Sequence, residues 1–318
     1  MYYIGIDLGG TNIAAGIVDE NMRIVRKGSV PTGAFRDPDE ITADMAELCK
    51  KLLADEGLSL DDLKAVGIGA PGSIDPVRKK IIWANTMSTT NYPLGEKLAG
   101  MLGYPVKKIF MDNDANAAAL GETVAGAAKG AKHAIMITLG TGVGGGIVID
   151  GKIYAGFNNM GAEIGHMVIK RGGRKCNCGR RGCFEAYCSA TALRELTAEA
   201  MKKDPDSVLW QIAGGDITKV SAKDAFEAKR RGDRTGTVVA DRYIKDLACG
   251  VANLVNIFQP EVLCIGGGVC NEGAYLLDPV VRIVKREQFT HVNKIKTKVV
   301  IAALGNDAGI IGAAALGV

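Results

Sequence analysis

Short apolar runs closed by glycine set the pattern of the chain. Tyr2 to Leu8 alternates apolar and small residues and predicts a buried strand. Gly9-Gly10-Thr11 predicts a tight turn, and Ile13 to Val18 a returning strand. A second turn at Asp19-Glu20-Asn21 leads into a third strand, Arg23 to Lys27. Asp39 to Leu53 then changes period, placing Ile41, Met45, Leu48 and Leu52 on one face of a helix. Ala65 to Ile68 is a further short strand, running into Gly69-Ala70-Pro71-Gly72.

The meander recurs. Ile135, Ile137, Leu139 and Gly140 repeat Ile4, Ile6, Leu8 and Gly9 at an offset of 131 residues, and the match continues loosely to Asp19 and Asp150. Asp150-Gly151 predicts a hairpin turn, because both central positions favour positive φ. Buried strands ending in glycine resemble one another by chance often enough to leave that reading open. The alternative is two related halves, each offering a Gly-rich turn to a cleft. Ala198 to Arg234 is polar and helical in flavour, and Lys229-Arg230-Arg231 reads as a solvated face. Val239 to Phe258 predicts a longer amphipathic helix ended by Pro260, and Glu261 to Ile265 a strand opening onto Gly266-Gly267-Gly268. Asp307 to Leu316 predicts a packed helix.

Composition narrows the class. A chain of 318 residues suggests two domains at roughly 100–200 residues each. Hydrophobic residues at 47% and charged residues at 23% exclude disorder, and 42 glycines without a three-residue period exclude collagen. A net charge of +4 with both signs interspersed gives no nucleic-acid stripe. The N-terminal run lacks a basic secretion region and carries Asp7. The uncharged stretch from about His133 to Ile149 has a Gly-rich centre that suits strand–turn–strand rather than a membrane helix. The expectation is a cytoplasmic protein with neither a membrane nor a nucleic-acid partner.

Three Gly-rich turns follow apolar strands: Gly9-Gly10-Thr11, Gly140-Thr141-Gly142 and Gly266-Gly267-Gly268. Such turns let backbone N–H groups approach a phosphate without intervening side chains. Residues 140–145 satisfy G-x-G-x-x-G, but the sequel reads as strand and hairpin, not helix, so a Rossmann fold is rejected. No Walker A lysine pattern is present. Asp7, at the end of the first strand, is either a magnesium partner beside a phosphate loop or an acceptor for local backbone N–H groups. The accompanying loops favour magnesium. Asp112-Asn113-Asp114-Ala115-Asn116 joins an apolar strand to an Ala-rich helix. These residues suit a helix cap, and Asp114 also suits a general base beside a substrate hydroxyl. Both roles are compatible.

The strongest local signal is Cys176-x-Cys178-Gly179-x-x-Gly182-Cys183, with His166 ten residues upstream. Three thiols and an imidazole match the four-ligand preference of structural zinc, which is favoured over buried or redox thiols. Cys49, Cys188, Cys249, Cys264 and Cys270 read as core. Glu163 and Glu185 flank the segment, and with the second nitrogen of His166 they form a hydrogen-bonding set suited to a polyhydroxyl ligand.

Taken in order, Asp7-Leu8-Gly9-Gly10-Thr11, Gly69-Ala70-Pro71-Gly72, Asn113-Asp114-Ala115-Asn116, Leu139 to Gly146, Glu163-x-Gly165-His166 and Cys176 to Glu185 resemble the ROK family, and within it the bacterial glucokinases. The resemblance covers essentially the whole chain. It implies an α/β actin-like ATPase and sugar kinase (ribonuclease H-like) fold with two α/β domains around a cleft. The division expected is a small domain of residues 1–115 plus about 305–318, and a large domain of residues 116–304 carrying the zinc loop. It further implies phosphorylation of the 6-hydroxyl of an aldohexose, glucose first, by magnesium ATP. N-acetylmannosamine, N-acetylglucosamine or fructose are the alternative substrates. Asp114 would be the catalytic base. Gly72, Asn113, Asp114, Glu163, His166 and Glu185 would bind sugar. Asp7, Gly9, Gly10, Thr11, Asn12, Gly140, Thr141, Gly142, Gly267 and Gly268 would serve the nucleotide. His166, Cys176, Cys178 and Cys183 would hold zinc, and the assembly would be a homodimer. The family also contains sugar-sensing repressors, which add an N-terminal helix-turn-helix domain for which a first strand at Tyr2 leaves no room. Two departures stand out: Asn12 replaces a frequent Lys, and Trp83 to Leu94 reads differently from many relatives.

Overall fold

A computed structural model describes residues 1–33, 35–84, 89–289 and 292–318. The early strands are β1 (Tyr2–Leu8), β2 (Asn12–Val18), β3 (Ile24–Pro31) and β4 (Leu63–Ala70). The short β5 (Ser73–Asp75), β6 (Lys80–Ala84) and β7 (Thr89–Tyr92) follow, then β8 (Ile109–Asn113). The later strands are β9 (Ala134–Leu139), β10 (Val143–Ile149), β11 (Lys152–Ile153), β12 (Val262–Gly266) and β13 (Lys298–Ile301).

Two five-stranded sheets follow one plan, with orders β3-β2-β1-β4-β8 and β11-β10-β9-β12-β13. In the first, β1 runs antiparallel to β2 and parallel to β4, which runs parallel to β8. In the second, β10–β11 is antiparallel and β12–β13 parallel, like their counterparts β2–β3 and β4–β8. β2 and β10 begin 131 residues apart, the offset of the sequence repeat. Shared strand order over the whole of both sheets favours related halves over chance. The predicted hairpin stands at Asp150 and Gly151, with φ of 52° and 74° between the paired Ile149 and Lys152.

The helices are α1 (Pro38–Asp55), α2 (Leu94–Leu102), α3 (Asp114–Val124), α4 (Glu185–Cys188), α5 (Ala190–Met201), α6 (Val208–Ile212), α7 (Asp224–Arg230), α8 (Arg234–Phe258), α9 (Ala274–Glu287) and α10 (Ala308–Ala315). Two compact units result. One comprises residues 1–136, 146–162 and 302–318, and the other residues 137–145 and 163–301.

In the first unit the apolar stripe of α1 (Ile41, Met45, Leu48, Leu52) packs with Ile4, Ile6, Ile13 and Ile68 of the sheet and with Leu98 of α2. α10 approaches both the sheet and α3 without side chains between them. A Cβ on Gly5 would overlap the Ile310 carbonyl, and one on Gly312 the Ala117 carbonyl. In the second unit α8 buries Val239, Tyr243, Leu247, Val251 and Leu254. Phe226 meets Tyr243 edge to face, with centroids 6.1 Å apart.

Several boundaries move, each for a local reason. β3 runs to Pro31 rather than Lys27, because pairing with β2 continues from Val18 to Asn12. α8 begins at Arg234, not Val239, because the Asp233 side chain accepts the Gly236 N–H at 2.6 Å and starts the helix before its apolar stripe. The polar region 198–234 breaks into separate short helices. Cys49, Cys188, Cys264 and Cys270 are buried as expected, but Cys249 is only half-buried. Among the described residues no helix is long and apolar enough to cross a membrane.

Candidate active site

The corner where β8 becomes α3 carries the first group of residues. Asn113 caps the helix: its Oδ1 accepts the N–H of Ala115 at 2.9 Å and of Asn116 at 3.3 Å. Its Nδ2 donates to the Gly72 carbonyl at 3.1 Å. Gly72 has φ of 85°, and a Cβ there would overlap the Trp83 carbonyl, so only glycine can present that oxygen. Asp114 follows as the first helical residue, its Oδ1 accepting the Ala115 N–H at 2.8 Å.

Asp7 lies at the end of β1 between its partners Ala14 and Gly69. Burial, reinforced by the negative charge of Asp114, pushes its pKa up to about 6. A Cβ on Gly309, in the first turn of α10, would overlap the Asp7 carboxylate, so Gly309 is what lets the acid pack there. The following turn is closed by Gly9 N–H donating to the Asn12 carbonyl at 3.0 Å. The Thr32 hydroxyl donates to the Gly9 carbonyl at 2.6 Å and ties the turn to the end of β3. Gly10, Thr11 and Asn12 are exposed. The first unit thus gathers Asp7, residues 9–12, Gly72, Asn113 and Asp114.

The second unit gathers the rest. Gly140 N–H donates to the Gly142 carbonyl at 3.0 Å, leaving Gly140 and Thr141 exposed at the tip of the β9–β10 turn. β10 follows at Val143, which removes the helix a Rossmann turn requires. Gly267, with φ of 98°, lies against the Leu139 backbone, so the 267–268 turn adjoins the end of β9. The Glu185 carboxylate accepts the Val143 N–H at 2.9 Å and packs beside Gly142. One acid therefore joins the β9–β10 turn to the cysteine segment.

That segment is a compact donor cluster. One ligand atom from each of His166, Cys176, Cys178 and Cys183 lies within 4.8 Å of the others. Around a tetrahedral ion with metal–sulfur bonds of about 2.3 Å, two sulfurs stand roughly 3.8 Å apart. Cys178 Sγ and Cys183 Sγ are 3.7 Å apart, and Cys176 Sγ and His166 Nδ1 are also 3.7 Å apart. The set therefore fits one small tetrahedral cation. Burial pushes the Cys183 thiol up to about 12 and raises Cys176, while the Arg180 backbone N–H draws Cys178 down. Binding must displace these protons. With Nδ1 turned to the sulfurs, His166 Nε2 faces outward, 4.0 Å from Glu163 Oε2. Glu163 itself is exposed.

Sequence reasoning missed the partners that hold these groups: Gly309 against Asp7, and the Asp112–Asn116 pair under Asp114. The Asp112 and Asn116 spacing of i, i+4 across a helix start was the available signal. Part of the segment that departs from relatives, residues 85–88, lies outside the described residues.

The family model described as "ROK family" matches residues 3–317. The chain is 39% identical to the glucokinase of Thermotoga maritima over 98% of this chain and 96% of that protein. It is equally identical to the glucokinase of Halalkalibacterium halodurans, covering 98% and 93%. The crystal structure of a ROK family glucokinase from Streptomyces griseus, in complex with glucose and AMPPNP, superposes with a TM-score of 0.82 at 35% identity, covering 99% of each chain. Paired sheets of one topology, each ending in Gly-rich turns, make this an actin-like ATPase and sugar kinase fold. Within that class, the chain belongs to the ROK family.

Proposed function

We propose that this protein is an ATP-dependent hexokinase that phosphorylates the 6-hydroxyl of glucose. The observation that carries the reading is the intact β8–α3 corner, with Asp114 at its head and Asp7 beside it, in a chain related to glucokinases over nearly its full length. Asp114 accepts the O6 proton as the O6–phosphorus bond forms and the bond to the leaving ADP oxygen breaks. Asp7 would hold magnesium, directly or through water, and the metal would supply positive charge beside the transferring phosphate. Backbone N–H groups of residues 9–12, 140–142 and 267–268 supply the remaining phosphate contacts. Asn12, a neutral amide, contributes polarity there without charge.

Gly72, Asn113, Glu163, His166 and Glu185 recognise sugar hydroxyls. Asn113 has its oxygen committed to the α3 cap, so its share comes from the second Nδ2 hydrogen. His166, Cys176, Cys178 and Cys183 would hold structural zinc, which would pin this loop, while the Nε2 of His166 is left for a sugar hydroxyl. Functionally, residues 1–115 with about 305–318 act as the small domain and residues 116–304 as the large one. The protein works in the cytoplasm as a homodimer with no nucleic-acid or membrane partner, and a monomeric mass by light scattering would contradict the dimer. The reading is tested by ADP release against glucose, N-acetylmannosamine, N-acetylglucosamine and fructose, with the product ester located by phosphorus NMR. Glucose giving the highest kcat/KM and a 6-phosphate supports it; no turnover on any sugar refutes it.

A further inference from the structure

We infer that Asp112 and Asn116 are positioning residues that aim Asp114, an inference that rests on the reading of Asp114 as the base. Asp112 is the penultimate residue of β8 and pairs with Gly69 of β4. A single oxygen, Asp112 Oδ1, accepts both the Asn113 N–H and the Asn116 side-chain amide, each at 2.7 Å. The two donors bracket Asp114 in the chain. The corner before it and the helical turn after it are therefore fixed to one atom. From the other side, a Cβ on Gly69 would stand 3.0 Å from Ala117 Cβ and 3.5 Å from Asp114 Cα, so α3 is pressed onto the strand that pairs with Asp112.

Asn116 shows that the arrangement is held at a cost. It is 5% exposed, and its Oδ1 has no hydrogen-bond partner. A carboxylate only accepts, so the amide must turn its NH2 toward Asp112, and the carbonyl is stranded as a result. A buried unpaired carbonyl destabilises a fold, and an apolar residue would avoid the loss. What the amide provides in return is the second anchor on Asp112. The carboxylate is itself partly desolvated: burial raises its pKa, and the Asn116 and Asn113 donors oppose that rise.

The test uses the full-length protein and the substitutions Asn116→Leu, Asp112→Ala and Asp112→Asn. Asn116→Leu removes the donor and the stranded carbonyl together while keeping a similar shape, so it is expected to melt no lower than wild type. Its kcat is expected to fall by about 10- to 100-fold, the scale of a misaimed catalytic group, with KM for ATP within about threefold. Asp112→Ala should lose as much, and Asp112→Asn, which keeps an acceptor oxygen, should recover most of it. Should Asp112→Ala fail to fold, Asn116→Leu and Asp112→Asn carry the comparison. A kcat within about twofold of wild type in Asn116→Leu overturns the inference, as does Asp112→Asn being as impaired as Asn116→Leu. Wild-type protein without sugar-kinase turnover overturns the functional reading and this inference together; active wild type with fully active Asn116→Leu overturns this inference alone.

Discussion

Glu122 is a buried carboxylate, 1% exposed, that holds the C-terminal segment to α3. Its Oε2 accepts the N–H of Ala127 at 2.7 Å and of Ala303 at 3.1 Å, and its Oε1 the N–H of Leu304 at 2.8 Å. Glu122→Gln leaves one oxygen where there were two. Placed at the Oε2 position, that oxygen keeps two donors, now without charge. The amide NH2 then faces the Leu304 N–H, so a part-buried donor is left unpaired against the buried amide, at a cost of about 1–3 kcal/mol. Weakening of the two surviving bonds adds to this, and no longer burying a charge offsets part of it, so the net loss comes to about 2–4 kcal/mol. At about 2–4 °C per kcal/mol for a larger domain, Tm should fall by about 4–16 °C. Circular dichroism melting gives the shift, and hydrogen exchange gives its location, with the amides of Ala303 and Leu304 exchanging faster in the variant. A Tm within about 2 °C of wild type and unchanged exchange at those amides would refute the reasoning, because the three N–H groups would then not depend on the carboxylate.

Three further outcomes are expected. Cys178→Ala should lose zinc by elemental analysis, lower Tm and raise KM for glucose far more than KM for ATP; zinc-free wild type, or normal glucose binding in the variant, would contradict the assigned ligands. Asp7 has its pKa raised to about 6 by burial and by Asp114, so without a cation its ionisation opposes folding: the carboxyl costs nothing well below its unfolded value near 4, and stability is lost as pH rises toward and through about 6. Asp7→Asn should therefore melt higher than metal-free wild type at pH 7.5 and abolish turnover, and a lower Tm there would contradict the sign. Gly312→Ala should be severely destabilising, because its Cβ would overlap the Ala117 carbonyl of α3; a Tm near that of wild type would mean the helix pair yields easily.

Most strands of the two five-stranded sheets were legible because buried strands write themselves as short apolar runs; β13, exposed at Lys298 and half-buried after it, was not read. The runs closed by glycine turns, at Leu8 and Leu139, gave the repeat its register. The Cys/His cluster was legible because its three thiols fall in one short loop, where spacing fixes proximity. β5, β6 and β7 were not seen: each is only three to five residues long and sets one or two buried residues (Ile74, Ile81, Thr89) beside exposed or half-exposed ones such as Ser73, Trp83 and Asn91, too few positions for an alternation to be read. α9 was hidden by Pro279 inside the helix. At the site, Asp7 and Asp114 could be picked from their motifs. What positions them could not, because Gly309, Asp112 and Asn116 act through packing or through single hydrogen bonds that have no sequence period. Glu122 is the extreme case, since its partners at 303 and 304 lie far along the chain.

The central claim is that Asp114 removes the proton from a sugar hydroxyl. It is tested most directly by comparing Asp114→Asn with wild type in two assays on one preparation, glucose binding by calorimetry and ADP release at saturating glucose and magnesium ATP. On this account, glucose binding is expected to be preserved, because Asn keeps an oxygen that accepts from the sugar hydroxyl, and kcat to fall at least ~10²-fold, the low end for loss of a general base. Glucose turnover near the wild-type rate in Asp114→Asn would contradict it.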